Sequence, residues 1–239
     1  MFLQISDLEF NIFFVLTIIL IVVKLVLCLF LGIKIYYQKK EAGIFHFGFI
    51  FGVFIFVLCM LISRIMFFYF DFFLTKFHSE IYYKIPNLMV WKIAMLINTI
   101  GATVFIFITD LKIFDFKLKG LLAYFIMIFG IIQFIYPVNN SQDFEILSYF
   151  DLRFLIVGIM IPIYFFYLAW KPSPYRIASI TLGSGIILYI LGALITAELI
   201  LNALAQIRIL IYFISLILKV LGLFLFVYGV SIFTVKFSK

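Results

Sequence analysis

Residues 45–74 read FHFGFIFGVFIFVLCMLISRIMFFYFDFFL, thirty residues of nearly unbroken apolar character that hold Arg64 well inside and Asp71 near the end. A helix rises 1.5 Å per residue and about 20 apolar residues cross the hydrocarbon core of a bilayer, so this stretch spans a membrane with length to spare. Arginine does not shed its charge. At mid-bilayer it costs roughly 2.5–3.5 kcal/mol on insertion scales. The neighbouring helices must therefore give Arg64 a counter-charge, a water-filled cavity or a route to the interface. That demand organises the rest of the chain.

The composition agrees with the stretch. Of 239 residues, 67% are apolar and only 12% charged, against about 45–50% and 25% in soluble domains. A soluble core of this size could not hide so much apolar surface, so lipid is the solvent. Seven apolar runs are countable, at residues 10–37, 45–74, 88–110, 119–138, 153–171, 176–202 and 207–235. They predict an all-α, polytopic seven-helix bundle that fills residues 1–239 as one integral membrane domain. Pro162 predicts a kink in the fifth run. The start of the chain lacks a basic region before its apolar run, so the first helix is expected to be retained and not cleaved as a signal peptide.

Orientation follows from the lysines and arginines of alternate loops. Ten fall on one side (Lys34, Lys39, Lys40, Lys112, Lys117, Lys119, Lys171, Arg176, Lys236, Lys239) and four on the other (Lys76, Lys84, Arg153, Arg208). Ten against four places the amino terminus outside and the carboxyl terminus in the cytoplasm of a cell-membrane protein. Tyr36, Tyr37, Tyr69, Trp91, Tyr136 and Trp170 sit at ends of runs, where aromatic rings anchor to the interface. The net charge of +7 lies mostly in short loops on one side. Basic residues do not interleave with solvated aromatics, so no nucleic-acid partner is expected.

The charges inside the runs point to function. Lys24, Arg64, Lys92 and Lys219 are the basic residues within spans, and Asp71 and Glu198 are the acids placed to meet them. Arg64 and Asp71 share a helix face two turns, about 10 Å, apart. Intramembrane ionisable groups mark ligand, ion or proton sites by default. The candidate ligand-binding set is Arg64, Asp71, Lys92, Glu198, Ser215 and Lys219, a polar cavity in the outer half of the bilayer with Lys219 beneath it, nearer the middle. Its positive excess favours an anionic group on the ligand. The competing reading is structural, with Arg64 paired to Glu198 or Asp71 and Lys92 snorkelling to the interface. Two histidines on opposite sides give no metal cluster, and no P-loop, H-E-x-x-H or G-x-S-x-G motif is present. No enzymatic activity and no cofactor are expected.

Small residues recur every seven positions in the sixth run, at Ala178, Gly185 and Gly192. Such a stripe lets a neighbouring backbone come close. Gly52, Cys59 and Ser63 of the second run align without a gap with Gly185, Gly192 and Thr196 of the sixth. A three-plus-one-plus-three arrangement of parallel repeats is a known transporter plan, and the match here is a few positions long.

The size, the topology and the basic turn Tyr175-Arg176-Ile177-Ala178 leading to Gly183-Ser184-Gly185 resemble poorly characterised seven-helix membrane proteins of archaea and the seven-helix sensor modules of histidine kinases. The resemblance implies ligand sensing in the outer half, with output through a cytoplasmic signalling partner. A small-solute transporter is the alternative. A further one is a rhodopsin, since Lys219-Val220 looks like the retinal-binding lysine and its neighbour. Ser215 stands there where most rhodopsins carry aspartate, and the sixth run lacks the tryptophan that packs on retinal.

Overall fold

The computed structural model describes residues 6–43, 47–170, 175–196 and 198–237. The α-helices are α1 Asp7–Ala42, α2 Phe49–Tyr69, α3 Asn87–Ile113, α4 Leu121–Ile135, α5 Ser141–Tyr149, α6 Leu152–Trp170, α7 Arg176–Leu194, α8 Glu198–Ala203 and α9 Arg208–Phe237. No strand forms among the described residues. Among the described residues, six segments are long and apolar enough to cross a membrane, one of them Ser141–Trp170, which takes in α5 and α6; α4 is a shorter apolar helix. The chain is an integral, multi-pass helical protein whose solvent is the lipid bilayer.

Local chemistry sets the helix ends. A capping box starts α1: Ser6 Oγ accepts from Glu9 N–H at 3.3 Å, while Glu9 Oε2 accepts from Ser6 N–H at 2.9 Å. The second run ends differently from the uninterrupted helix that its composition predicts. Residues Phe70–Leu74 form a π-helical turn, in which Phe70 O accepts both the N–H and the hydroxyl of Thr75 at 2.9 Å. The run at 119–138 yields only fifteen helical residues. Its start is delayed by a turn, and at its end Pro137 forces Tyr136 to leave the helix (ψ 125°). The expected loop after it contains α5, whose N-cap Asn140 Oδ1 accepts from Asp143 N–H while Asp143 Oδ2 accepts from Asn139 N–H, both at 2.9 Å.

The expected single helix at 176–202 is two helices. Beyond Leu194 the backbone tightens, with Thr196 N–H bonded to Ala193 O at 3.3 Å and the Thr196 hydroxyl on the same oxygen at 2.8 Å. Threonine bonding back to its own turn competes with the helical ladder. Pro162 lies inside α6. Trp91, read as an interfacial anchor, is instead only 8% exposed and packs in an aromatic cluster, whereas Trp170 is exposed.

The described residues divide into two compact units, one of residues 28–154 and one of residues 6–27 with 155–237. In the first unit α2 and α3 pack closely. A Cβ at Gly52 would lie 3.0 Å from Ile108, one at Gly101 would strike Cys59, and Phe56 stacks on Phe105 at 5.0 Å. In the second unit α7 and α9 run antiparallel in backbone contact. A Cβ at Gly185 would lie 2.6 Å from Phe226 N and 2.8 Å from Gly222 O, and one at Gly229 would lie 3.1 Å from Ala178 O. Gly192 faces Ser215, whose hydroxyl donates to Gly192 O at 2.6 Å. Each step of seven along α7 is thus matched by a step of seven back along α9. Without a hydrophobic drive in lipid, such close approach is what holds helices together.

Candidate functional site

The polar centre of the first unit is Arg153, counted by sequence among loop residues and in fact 2% exposed. Its Nη2 donates to Gln133 Oε1 at 2.6 Å and to Thr99 Oγ1 at 3.0 Å. Its Nη1 donates to Phe150 O at 2.8 Å and lies 3.7 Å from Asp151 Oδ1. The guanidinium carbon sits 4.4 Å from the Phe154 ring centroid. Gln133 turns its amide nitrogen the other way, to Asp151 Oδ1 at 2.9 Å and Leu147 O at 3.1 Å. Three segments therefore meet on one guanidinium: the middle of α3, the last turn of α4 and the α5–α6 junction. Gly130 makes the meeting possible, because any Cβ there would collide with Thr99.

The network lies at membrane depth. Thr99 is fourteen residues from the Ile113 end of α3 and Gln133 twelve from the Leu121 end of α4, so both stand about 18–21 Å above the 114–120 turn. A hydrocarbon core is about 30 Å thick. With only fifteen residues, α4 falls short of that thickness, and α5 with the residues around it fills the space beyond its end. Non-helical backbone at such depth is tolerated where protein buries it. Here Leu147 is fully buried, and Phe144 packs against Tyr82 and Trp91 with ring centroids 5.4 Å and 5.1 Å away.

Lys92 lies one stripe further along the same face of α3. It is 8% exposed and donates to Tyr136 O at 2.6 Å, at the C-terminus of α4. Arg64, in α2, is partly buried, and Asp71 stands in the π-helical turn that follows. Such π-turns inside helices are frequent at functional sites. The first unit therefore holds Arg64, Asp71 and Lys92 of the expected set. To these the structure adds Arg153, Gln133, Asp151 and Thr99.

The remaining expected residues belong to the second unit. Ser215 is 2% exposed, with its hydroxyl committed to Gly192 O. Lys219 runs past Gly192, its Cγ 3.0 Å from where a Cβ would stand. Glu198 opens α8, and its side chain lies outside the described residues. Lys24 is 3% exposed with its ammonium 5.8 Å from the Tyr189 ring centroid.

Two signals in the sequence could have found the polar layer. Gln133 is a lone amide deep in an apolar run, and Asp151-Leu152-Arg153 opens a helix instead of closing a loop. No protein-family model, curated protein or solved structure matches the chain.

Proposed function

We propose that this is a seven-helix, sensor-like membrane protein that binds a small ligand in the outer half of its first unit and passes the event to a cytoplasmic partner. In this reading α4 is the seventh crossing, the amino terminus is outside and the membrane is the cell membrane. Moving Arg153 from loop to polar layer sharpens the orientation signal from ten against four to ten against three. The observation that carries the binding reading is Arg153 itself. It is an always-charged group, 2% exposed at membrane depth, within hydrogen-bond distance of Thr99, Gln133 and Phe150 O. Buried intramembrane charge is expensive and is kept where a site uses it.

The test is thermal unfolding of the purified chain against a panel of small solutes, with native mass spectrometry for molecules that copurify. The double variant Arg153→Met with Asp151→Asn removes both charges and leaves an acceptor for Gln133. It should fold and lose the wild-type ligand. A double variant that folds and keeps its ligand reduces the network to packing.

A transporter is the second reading, and one observation favours it. The gapless match of α2 with α7 extends to their partners. Gly52 and Cys59 face Ile108 and Gly101 of α3, as Gly185 and Gly192 face Gly222 and Ser215 of α9. Ser63 bonds back to Met60 O at 3.3 Å just as Thr196 bonds to Ala193 O at 2.8 Å. Repeated helix pairs of this kind are the building plan of many carriers. Solute uptake by the purified protein in liposomes, with no partner added, would decide for the transporter.

A further inference from the structure

We infer that the seam between α3 and α4 takes one anionic group, a carboxylate or a phosphate, between Lys92 and Arg153, and that the ligand carrying it is an amphiphile. This names the ligand class of the site proposed above and rests on that reading.

An ammonium has three donors. Lys92 spends one of them, on Tyr136 O at 2.6 Å, although the residue is 8% exposed. No carboxylate among the described residues lies within ion-pair distance of it. Capping the C-terminus of α4 accounts for part of its charge, since a helix end carries only about half an elementary charge. Of the other buried charges described in the unit, Arg153 has Asp151 and Asp110 is held by backbone N–H groups of the following turn. Lys92 has no such counter-charge among the described residues.

Arg153 supplies the second contact. Its Nε is buried with no hydrogen-bond partner. Gln133, whose Oε1 holds Arg153, stands in the last turn of α4, and Tyr136, whose carbonyl oxygen holds Lys92, is the residue just past its end. One carboxylate or phosphate has acceptors enough to serve both cations.

Depth and surroundings give the amphiphile. Lys92 is twenty-one residues from the Ile113 end of α3, about 32 Å above the 114–120 turn and so at the boundary of the hydrocarbon core. A head group there leaves its apolar body in lipid. The flanking Trp91, Tyr136, Phe150 and Phe154 are aromatic.

The test measures thermal unfolding of the full chain in neutral detergent with sodium octanoate, and with octan-1-ol as the uncharged match. A parallel set uses phosphatidylcholine nanodiscs with and without phosphatidylglycerol. Ligand that binds only the folded state raises Tm with concentration. Octanoate should raise Tm of the wild type and of Lys92→Arg, and its apparent affinity should fall at least about tenfold in Lys92→Gln, which keeps a donor for Tyr136 O. A response to octanoate in detergent assigns the site to a free amphiphile. A response only to phosphatidylglycerol assigns it to a lipid head group. Equal shifts from octanoate and octan-1-ol, or an undiminished response in Lys92→Gln, overturn the anion while leaving a binding site. No shift in the wild type with octanoate, octan-1-ol or phosphatidylglycerol overturns the anion, and with no ligand in the solute panel either, the binding reading falls too. The wild-type arms decide this even if Lys92→Gln fails to fold.

Discussion

Arg153 and Asp110 show what a buried charge asks of its neighbours. Arg153→Met alone leaves Asp151 and the Gln133 carbonyl oxygen without their cation. That should destabilise by about 3–5 kcal/mol, as for one partner lost from a buried pair. Adding Asp151→Asn should recover most of the loss in Tm, because no unpaired charge then remains. Asp110 solves the same problem with backbone. It is 1% exposed, and its carboxylate accepts from Leu118 N–H at 3.0 Å and Gly120 N–H at 2.7 Å. The turn it closes passes through left-handed backbone at Asp115, Phe116, Lys119 and Gly120. Asp110→Ala strands two donors and should cost about 3 kcal/mol, since a hydrogen bond to a charged group contributes about 1.5–3. Asp110→Asn keeps one acceptor oxygen and should cost about half as much. Gly120→Ala should also lower Tm, because its φ of +71° disfavours a side chain and its Cβ would meet Tyr124 at 3.1 Å. Thermal unfolding in detergent measures all of these.

Helix pairing was legible wherever it rests on spacing. The stripe Ala178, Gly185, Gly192 reads as a packing face in sequence and is one in the structure, with Ser215, Gly222 and Gly229 of α9 set against it. Ser215 and Gly222 also belong to a polar-looking stripe with Tyr212 and Lys219, and spacing alone could not tell a packing serine from a ligand-binding one. Elements defined by where they stop were harder to read. The apolar run around α4 continues through Tyr136-Pro137-Val138, but proline withdraws Tyr136 from the helix, and hydropathy does not register that. The shortness of α4 is what turns α5 inward and makes Arg153 a buried residue. The pairing of α7 with α9 carries its own prediction. A valine at Gly222 would drive a Cβ to 2.6 Å from Tyr189 N, and backbone cannot rotate aside as a side chain can. Gly222→Val should cost more than the about 1–3 kcal/mol of ordinary overpacking. Gly32→Ala, whose Cβ would rest 3.5 Å from Phe54, should leave Tm nearly unchanged.

At the scale of the whole molecule, the proposed topology ties the polar layer to a side of the membrane. The 114–120 turn is held closed by Asp110 and presents Lys117 in an exposed position. Helix α5 caps the opposite end of the first unit and presents Gln142, also exposed and free of the capping duty that binds Asn140 to Asp143 N–H. If the basic loops face the cytoplasm, a membrane-impermeant thiol reagent added to intact cells should modify Gln142→Cys and spare Lys117→Cys. Permeabilised cells should show both modified. The background needs Cys28→Ala and Cys59→Ala. Cys28 is buried, and Cys59 already crowds the Cβ position of Gly101, so the smaller residue fits there. Outside labelling of Lys117→Cys with protection of Gln142→Cys would turn the molecule over, and the Arg153 layer would then open toward the cytoplasm. Outside labelling of both sites would mean that α4 does not cross. Its fifteen residues would then lie as a re-entrant helix beneath α5, and six spans would return the chain to the side on which it began.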